Sequence, residues 1–109
     1  MKIDIFCKNI ALDAPLRTFV EEKIGGLEHL LGGAKAQARV EMGKPSKHHR
    51  SGPFFYAEVN LSIAGKLLRA QAEHVDLRAA ITDAKEELRI LIKKFKEKRT
   101  EKSRKPLTS

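Results

Sequence analysis

The sequence has little of what small secreted proteins and membrane proteins depend on. Cysteine occurs once, at Cys7, and tryptophan is absent. A single cysteine excludes an intramolecular disulfide, and with it the disulfide framework that stabilises many small secreted domains. No apolar run approaches the roughly 18 residues that a membrane span requires, and Asp4 interrupts the stretch where a signal peptide would be apolar. We therefore expect a cytoplasmic protein.

The motifs of the common enzyme classes are missing as well. There is no glycine-rich phosphate loop, no nucleophile elbow and no HExxH motif. His48 and His49 are adjacent, but neighbouring side chains on an extended chain point apart, and no cysteine or paired aspartate accompanies them as a metal ligand. We expect no enzyme, cofactor, metal site or small-molecule substrate. A small hydrolase that uses these histidines and Ser51 is the alternative, although no acid in the segment could orient them.

Positive charge is in excess and unevenly distributed. The 109 residues contain 22 basic and 14 acidic side chains, a formal net charge of +8. Residues 85–105 hold ten basic and four acidic side chains, and 44–50 hold three basic and none acidic. Such segregation is typical of proteins that bind a polyanion, most commonly nucleic acid. An anionic membrane is the less favoured partner, because the apolar helix face is of ordinary width and is needed to cover a sheet.

The stretch from Asp76 to Arg99 has the pattern of one long amphipathic helix. Asp76 can cap it, because its carboxylate can accept from the amides of the first turn. Apolar residues recur at steps of three and four and predict a buried stripe of Leu77, Ile81, Ala84, Leu88, Leu91, Ile92 and Phe95. Basic residues recur at the same period, offset by one, and predict a cationic flank of Arg78, Lys85, Arg89, Lys93 and Lys96. We predict that this flank contacts nucleic acid; a solvated surface with i,i+4 ion pairs is the alternative.

Four shorter segments alternate apolar and polar residues with the period of two that is typical of strands. They begin at Lys2, Ala36, Phe55 and Leu68. Gly65 and Lys66 favour a tight hairpin between the last two. With one helix after the first strand and another after the fourth, the order is β-α-β-β-β-α. We predict an α+β fold, a four-stranded sheet with both helices on one face.

The first helix is predicted to begin after Asp13, a capping residue that is followed by Pro15. Its apolar stripe continues to Leu31, so we expect one helix as far as that residue. Gly25 and Gly26 fall inside it, where they favour a bend or close packing against another helix.

A polar loop at 43–53 connects the second and third strands. Its basic cluster consists of Lys47, His48, His49 and Arg50. Imidazoles flanked by cations can donate to phosphates or stack on a base, so we predict that the cluster contacts RNA. A solvated loop without function is the alternative. The chain suffices for a single domain, which we place at 1–99, and 100–109 predict a disordered basic tail.

The element order, together with GPFFYAEVNLSIAGKLLRAQAEHVDLRAAITDAKEELRILIKKFKEK, resembles the ribosome hibernation-promoting factors. This family is also called ribosome-associated inhibitor or sigma-54 modulation protein. The resemblance extends from the first strand to Arg99, and its specific parts are the AEV strand, the glycine hairpin and the run 76–81. The chain is similar to the short members, which lack an added C-terminal domain that pairs ribosomes.

The resemblance implies a fold like a double-stranded-RNA-binding domain and a function without catalysis. A member is expected to dock on small-subunit ribosomal RNA between head and body and to block the channel for messenger and transfer RNA. Translation is then inhibited, and the ribosome hibernates under stress or in stationary phase. The implied partners of domain 1–99 are the small subunit and the 70S ribosome, and the free protein is expected to be monomeric.

The resemblance also extends the candidate site. Lys94, Lys96 and Lys98 match basic positions of the family's final helix. Two positions depart from the pattern: Arg78 stands where many members have tyrosine, and Glu87 occupies a commonly basic position. The individual RNA contacts therefore do not transfer directly. A module that binds structured RNA without specificity for ribosomes is the alternative function.

Overall fold

Four strands form one sheet in the order β1-β2-β3-β4, and two helices cover one of its faces. The structure, a computed structural model, describes residues 1–45 and 54–104, of which 100–104 are described by their backbone alone. The elements are β1 (Lys2–Lys8), α1 (Ala14–Gly25), a 3-10 helix (Glu28–Leu31), β2 (Ala36–Gly43), β3 (Phe55–Ile63), β4 (Lys66–His74) and α2 (Leu77–Arg104). The predicted α+β fold and its element order are confirmed.

The direction of each strand follows from its connection. α1 crosses over between β1 and β2, which therefore run parallel, whereas β2, β3 and β4 are antiparallel neighbours. The last residues of β1, β2 and β4 consequently lie at the same end of the sheet. We call this the loop end, marked by Gly43 and Phe55, and we call the opposite end the hairpin end, marked by Ile63 and Lys66.

The hairpin between β3 and β4 differs by one residue from the prediction. The turn consists of Ala64 and Gly65, with φ angles of 50° and 78°, and Ile63 pairs with Lys66. Positive φ at both central residues matches the right-handed twist of the strands that the turn joins. β4 therefore begins at Lys66, before the predicted start at Leu68.

The core lies between the sheet and the helices. α2 packs on β3 and β4, and α1 contacts β1 and α2. The predicted apolar stripe of α2 is buried at Ile81, Ala84, Leu88 and Ile92, and partly buried at Leu77, Leu91 and Phe95. No polar or charged residue is buried in the described part of the chain.

The first helix is shorter than predicted. α1 ends at Gly25, and the backbone N–H of Gly26 donates to the carbonyl of Glu22 at 3.0 Å. Each glycine costs a helix about 1 kcal/mol relative to alanine, so two in succession end the helix rather than bend it. The 3-10 helix that follows keeps Leu27 and Leu31 in the core, which explains why the apolar periodicity continued past the true end.

The last helix is longer than predicted. Asp76 caps it as expected, with its Oδ1 accepting from the Arg78 backbone N–H at 3.3 Å. α2 continues to Arg104, so the predicted end at Arg99 is wrong, and 100–104, which were assigned to the tail, have a helical backbone. The apolar periodicity stops earlier, but no glycine or proline interrupts the helix before Pro106.

The buried stripe of α2 gives a stability prediction. Leu88 is fully buried, so Leu88→Ala should lower the free energy of unfolding by about 2–5 kcal/mol. Leu67 is 56% exposed, and Leu67→Ala should change it by less than about 0.5 kcal/mol. Urea denaturation of both variants measures the difference. Equal small effects would show that α2 does not pack as described.

A second stability prediction concerns the closest backbone approach in the sheet. A Cβ on Gly43 would collide with the backbone carbonyl of Lys8, which accepts from the Lys44 N–H at 3.1 Å. Gly43→Ala should therefore destabilise the fold by about 1–3 kcal/mol. Gly25→Ala is the matched control, because its new methyl group would lie 3.9 Å from Ile3 Cδ1, an ordinary contact. Denaturation midpoints that move equally for the two variants would contradict this difference.

Candidate nucleic-acid interface

The seven candidate basic residues of α2 lie on two sides of its buried stripe. At 100° per residue, the five residues of the predicted cationic flank fall within about 80° of one another around the helix axis. Lys94 and Lys98 fall on the other side of the stripe. All seven cations are exposed except Lys85 and Arg89, which are half-buried. The candidate residues of α2 therefore form a ridge of five and a separate pair.

The first residue of the ridge is held against α1. The Arg78 guanidinium carbon lies 4.8 Å from the centroid of the Phe19 ring, and Lys23 Nζ lies 5.5 Å from the same centroid. A cation over an aromatic face is attracted by the ring quadrupole. The N-terminal end of the flank therefore lies beside α1, and Lys23 adds a further cation there, so we count it with the ridge.

Lys23 was not among the site residues predicted from the sequence. The spacing of four residues between Phe19 and Lys23 could have indicated it, since residues four apart share one face of a helix. The balanced charge of α1 as a whole concealed it.

Charge compensation decreases along α2. Arg89 Nε lies 3.1 Å from Glu86 Oε1, and Lys85 Nζ lies 3.9 Å from Glu86 Oε2. Exposed pairs of this kind stabilise little and leave most of the cationic field in place. In the part of the chain that the structure describes, the exposed lysines that follow have no ion-pair or hydrogen-bond partner: Lys93, Lys94, Lys96 and Lys98. The strongest uncompensated charge thus lies in the second half of the helix.

This second half extends past the sheet. Among the described side chains of α2, Ile92 is the last that is fully buried, and Phe95 is only partly buried. The 28 residues of α2 span about 42 Å, whereas a nine-residue strand spans about 30 Å. Because the helix starts at the loop end and runs towards the hairpin end, its exposed lysines lie near and beyond the hairpin end.

The basic loop is anchored at the opposite end. Lys47, His48, His49 and Arg50 lie outside the described residues, but the segment leaves β2 after Gly43 and returns at Phe55, which pairs with His74 just before α2. Lys93 lies about 24 Å along the helix axis from Leu77, the first residue of α2. Gly43 and Phe55, which we call the loop anchors, are therefore not adjacent to the lysine-rich half of α2.

The face of the sheet that points away from the helices, which we call the outer face, is polar and internally hydrogen-bonded. The Tyr56 hydroxyl donates to Glu41 Oε2 at 2.7 Å, and the Gln71 amide donates to Glu58 Oε2 at 2.7 Å. Burial, the hydrogen bond to Glu41 and the negative charge nearby together raise the pKa of Tyr56 to about 12. Tyr56 therefore keeps its proton throughout the physiological range.

In the described ranges, no helix is long and apolar enough to cross a membrane. Within 1–45 and 54–104, histidine, cysteine and acidic side chains form no group of three or more that could hold a metal ion.

The fold and its charge define a small α+β domain with a cationic helical ridge, a type of surface suited to polyanions. Residues 3–100 match the family model described as Sigma 54 modulation protein / S30EA ribosomal protein, so the chain belongs to this family. The suspected relationship is thereby confirmed.

Relatives agree with this assignment. A ribosome hibernation promotion factor from Deinococcus radiodurans is 29% identical over 92 residues, which cover 82% of this chain and 46% of the relative. The chain thus spans less than half of that protein. The crystal structure of the Thermus thermophilus Protein Y N-terminal domain has a TM-score of 0.75 and 27% identity, covering 87% of this chain and 99% of that domain.

A ribosomal subunit interface protein from Coxiella burnetii has the same fold, with a TM-score of 0.74. Its identity is 16%, and the match covers 89% of this chain and 99% of that protein. At this identity the match supports the fold alone.

The raised pKa of Tyr56 can be measured directly, because the chain has one tyrosine and no tryptophan. An absorbance titration of tyrosinate should have a midpoint at about 12. Glu41→Gln should lower the midpoint towards the ordinary value near 10, whereas Glu73→Gln should leave it unchanged. A pKa raised on folding stabilises the protein fully below the ordinary value, and this contribution is lost as the pH rises towards 12. A wild-type midpoint near 10 would contradict the hydrogen bond.

Proposed function

We propose that this protein binds the ribosome through small-subunit ribosomal RNA and inhibits translation, so that the ribosome hibernates under stress or in stationary phase. The observation that carries the proposal is the cationic ridge of α2, presented on a fold that belongs to the sigma-54 modulation family. The hibernation function in the name of the Deinococcus relative supports it. The docking site is between the head and body of the small subunit.

The mechanism is occupancy rather than catalysis. A-form RNA displays phosphates and ribose hydroxyls in a geometry that proteins recognise largely by shape. A rigid helix with cations at fixed intervals suits such a target, because phosphate contacts determine position and orientation without reading sequence. The bound domain fills the channel for messenger and transfer RNA, and initiation on that subunit stops.

The contacts are divided between three groups of residues. The ridge supplies Lys23, Arg78, Lys85, Arg89, Lys93 and Lys96; the opposite flank of α2 supplies Lys94 and Lys98; the loop supplies Lys47, His48, His49 and Arg50. Since the loop anchors and the exposed lysines of α2 lie at opposite ends of the domain, they contact separate RNA segments. If about six phosphates are neutralised, the logarithm of the affinity falls by roughly four per tenfold rise in salt.

Co-sedimentation with ribosomes on sucrose gradients tests the proposal. Wild-type protein should migrate with small subunits and 70S ribosomes at low salt and be released at high salt. The variant Lys85→Glu/Arg89→Glu/Lys93→Glu should stay at the top of the gradient, with circular dichroism showing a retained fold. Lys8→Glu/Lys35→Glu/Lys66→Glu is the matched control, because it makes the same charge change at exposed lysines outside α2.

Two results would overturn the proposal. If wild-type protein remains at the top of the gradient at both salt concentrations, it does not bind ribosomes. If it binds a free structured RNA as tightly as intact small subunits, the general RNA-binding alternative is correct. Unchanged binding of the Lys85→Glu/Arg89→Glu/Lys93→Glu variant would remove the ridge from the site while leaving ribosome binding in place.

A further inference from the structure

The charges on the outer face of the sheet are separated along the strands. Strand pairing aligns Asp4, Arg39, Asn60 and Arg69 in one row across the four strands. Lys2 lies in the next row towards the hairpin end. The carboxylates of Glu41, Glu58 and Glu73 lie in the rows nearer the loop end, together with Lys8. The half of the outer face at the hairpin end is therefore cationic, with Asp4 as its acid.

The arginines in this row form no ion pairs with the carboxylates around them in the described residues. Gln37 donates to Asp4 at 3.0 Å, Tyr56 donates to Glu41, and Asn60 and Gln71 donate to Glu58. Neutral amide and hydroxyl donors thus occupy the acids. No ion pair in the described residues involves Arg39 or Arg69.

The two guanidinium groups are oriented rather than loose. Arg69 Nε donates to Asn60 Oδ1 at 2.8 Å, which leaves its terminal nitrogens available as donors. The Arg39 guanidinium carbon lies 4.7 Å from the centroid of the Phe6 ring. Since both arginines pair with Asn60 from opposite sides, their backbones are about 10 Å apart.

Phe6 is an anomaly on this polar face. Its side chain is 46% exposed, and it lies on the edge strand β1 directly opposite Glu41, one row from Arg39 towards the loop end. The Arg39 guanidinium lies over this ring, and the exposed parts of the two flat groups form one solvent-accessible surface. Aromatic rings and guanidinium planes are the groups on which unpaired bases stack in single-stranded RNA recognition.

We propose that the cationic half of the outer face, together with Phe6 in the adjoining row, is a second RNA-binding site, specific for single-stranded RNA. Arg39 and Arg69 bind phosphates, and one base stacks on the Phe6 and Arg39 surface. A duplex is excluded because its bases are stacked inside the helix and are not available to Phe6. The site faces away from α1 and α2, so it is independent of the ridge and would permit one protein molecule to hold two RNA segments.

Fluorescence anisotropy with a labelled oligoadenylate tests this site. The full-length chain carrying Lys85→Glu/Arg89→Glu/Lys93→Glu serves as the background, because it removes the competing ridge. Adding Arg39→Gln/Arg69→Gln should weaken binding at least tenfold and reduce the slope of log affinity against log salt by about 1.4, the value for two phosphates. Adding Phe6→Leu should weaken binding roughly fivefold or more with an unchanged slope, because stacking does not release counterions.

Lys35→Gln/Lys66→Gln is the charge-matched control and should change the affinity less than twofold. A titration of unmodified protein followed by NMR provides a second readout, in which amide shifts should include Phe6, Arg39 and Asn60. The site is refuted if the control loses as much affinity as the arginine variant, if a duplex or a polyglutamate peptide competes as well as the oligoadenylate, or if the shifts are confined to α2.

Discussion

The packing of α2 on β3 and β4 is the constraint on which the rest of the structure depends. Burial of Leu88 and Ile92 fixes the rotation of the helix about its axis. Once that rotation is fixed, Lys93, one residue beyond Ile92, must face solvent, and Arg78 must lie beside α1. The apolar stripe therefore determines the direction of the cations as well as contributing most of the contact between helix and sheet.

The sheet separates two electrostatic surfaces. On the helix side, positive charge increases towards the C-terminal half of α2, where the sheet no longer covers the helix. On the outer face, neutral donors hydrogen-bond to the carboxylates, and in the described residues neither Arg39 nor Arg69 forms an ion pair. The carboxylates keep their negative charge, but most of them lie at the loop end, so a surface with balanced formal charge can still present a cationic half. Net charge alone would have indicated only the helix side.

Sequence periodicity predicted the fold well because most strands and both helices have one buried face. It failed where local backbone chemistry competed with burial. Gly25 and Gly26 ended α1 although Leu27 and Leu31 continued the apolar pattern in a 3-10 helix. Beyond Phe95 the helix persisted without an apolar face, since nothing in the sequence interrupts it.

Only part of the candidate site could be predicted from the sequence. The ridge on α2 was predicted from the helical period. The position of Lys23 and Arg78 over the same Phe19 ring depends on how the two helices pack, which periodicity does not specify. The separation of the loop anchors from the lysines of α2 depends on strand direction.

Chemical footprinting of small-subunit RNA tests the central claim most directly. Protection should appear between head and body and disappear with the charge-reversed ridge; protection elsewhere, or protection that survives the reversal, would contradict the account.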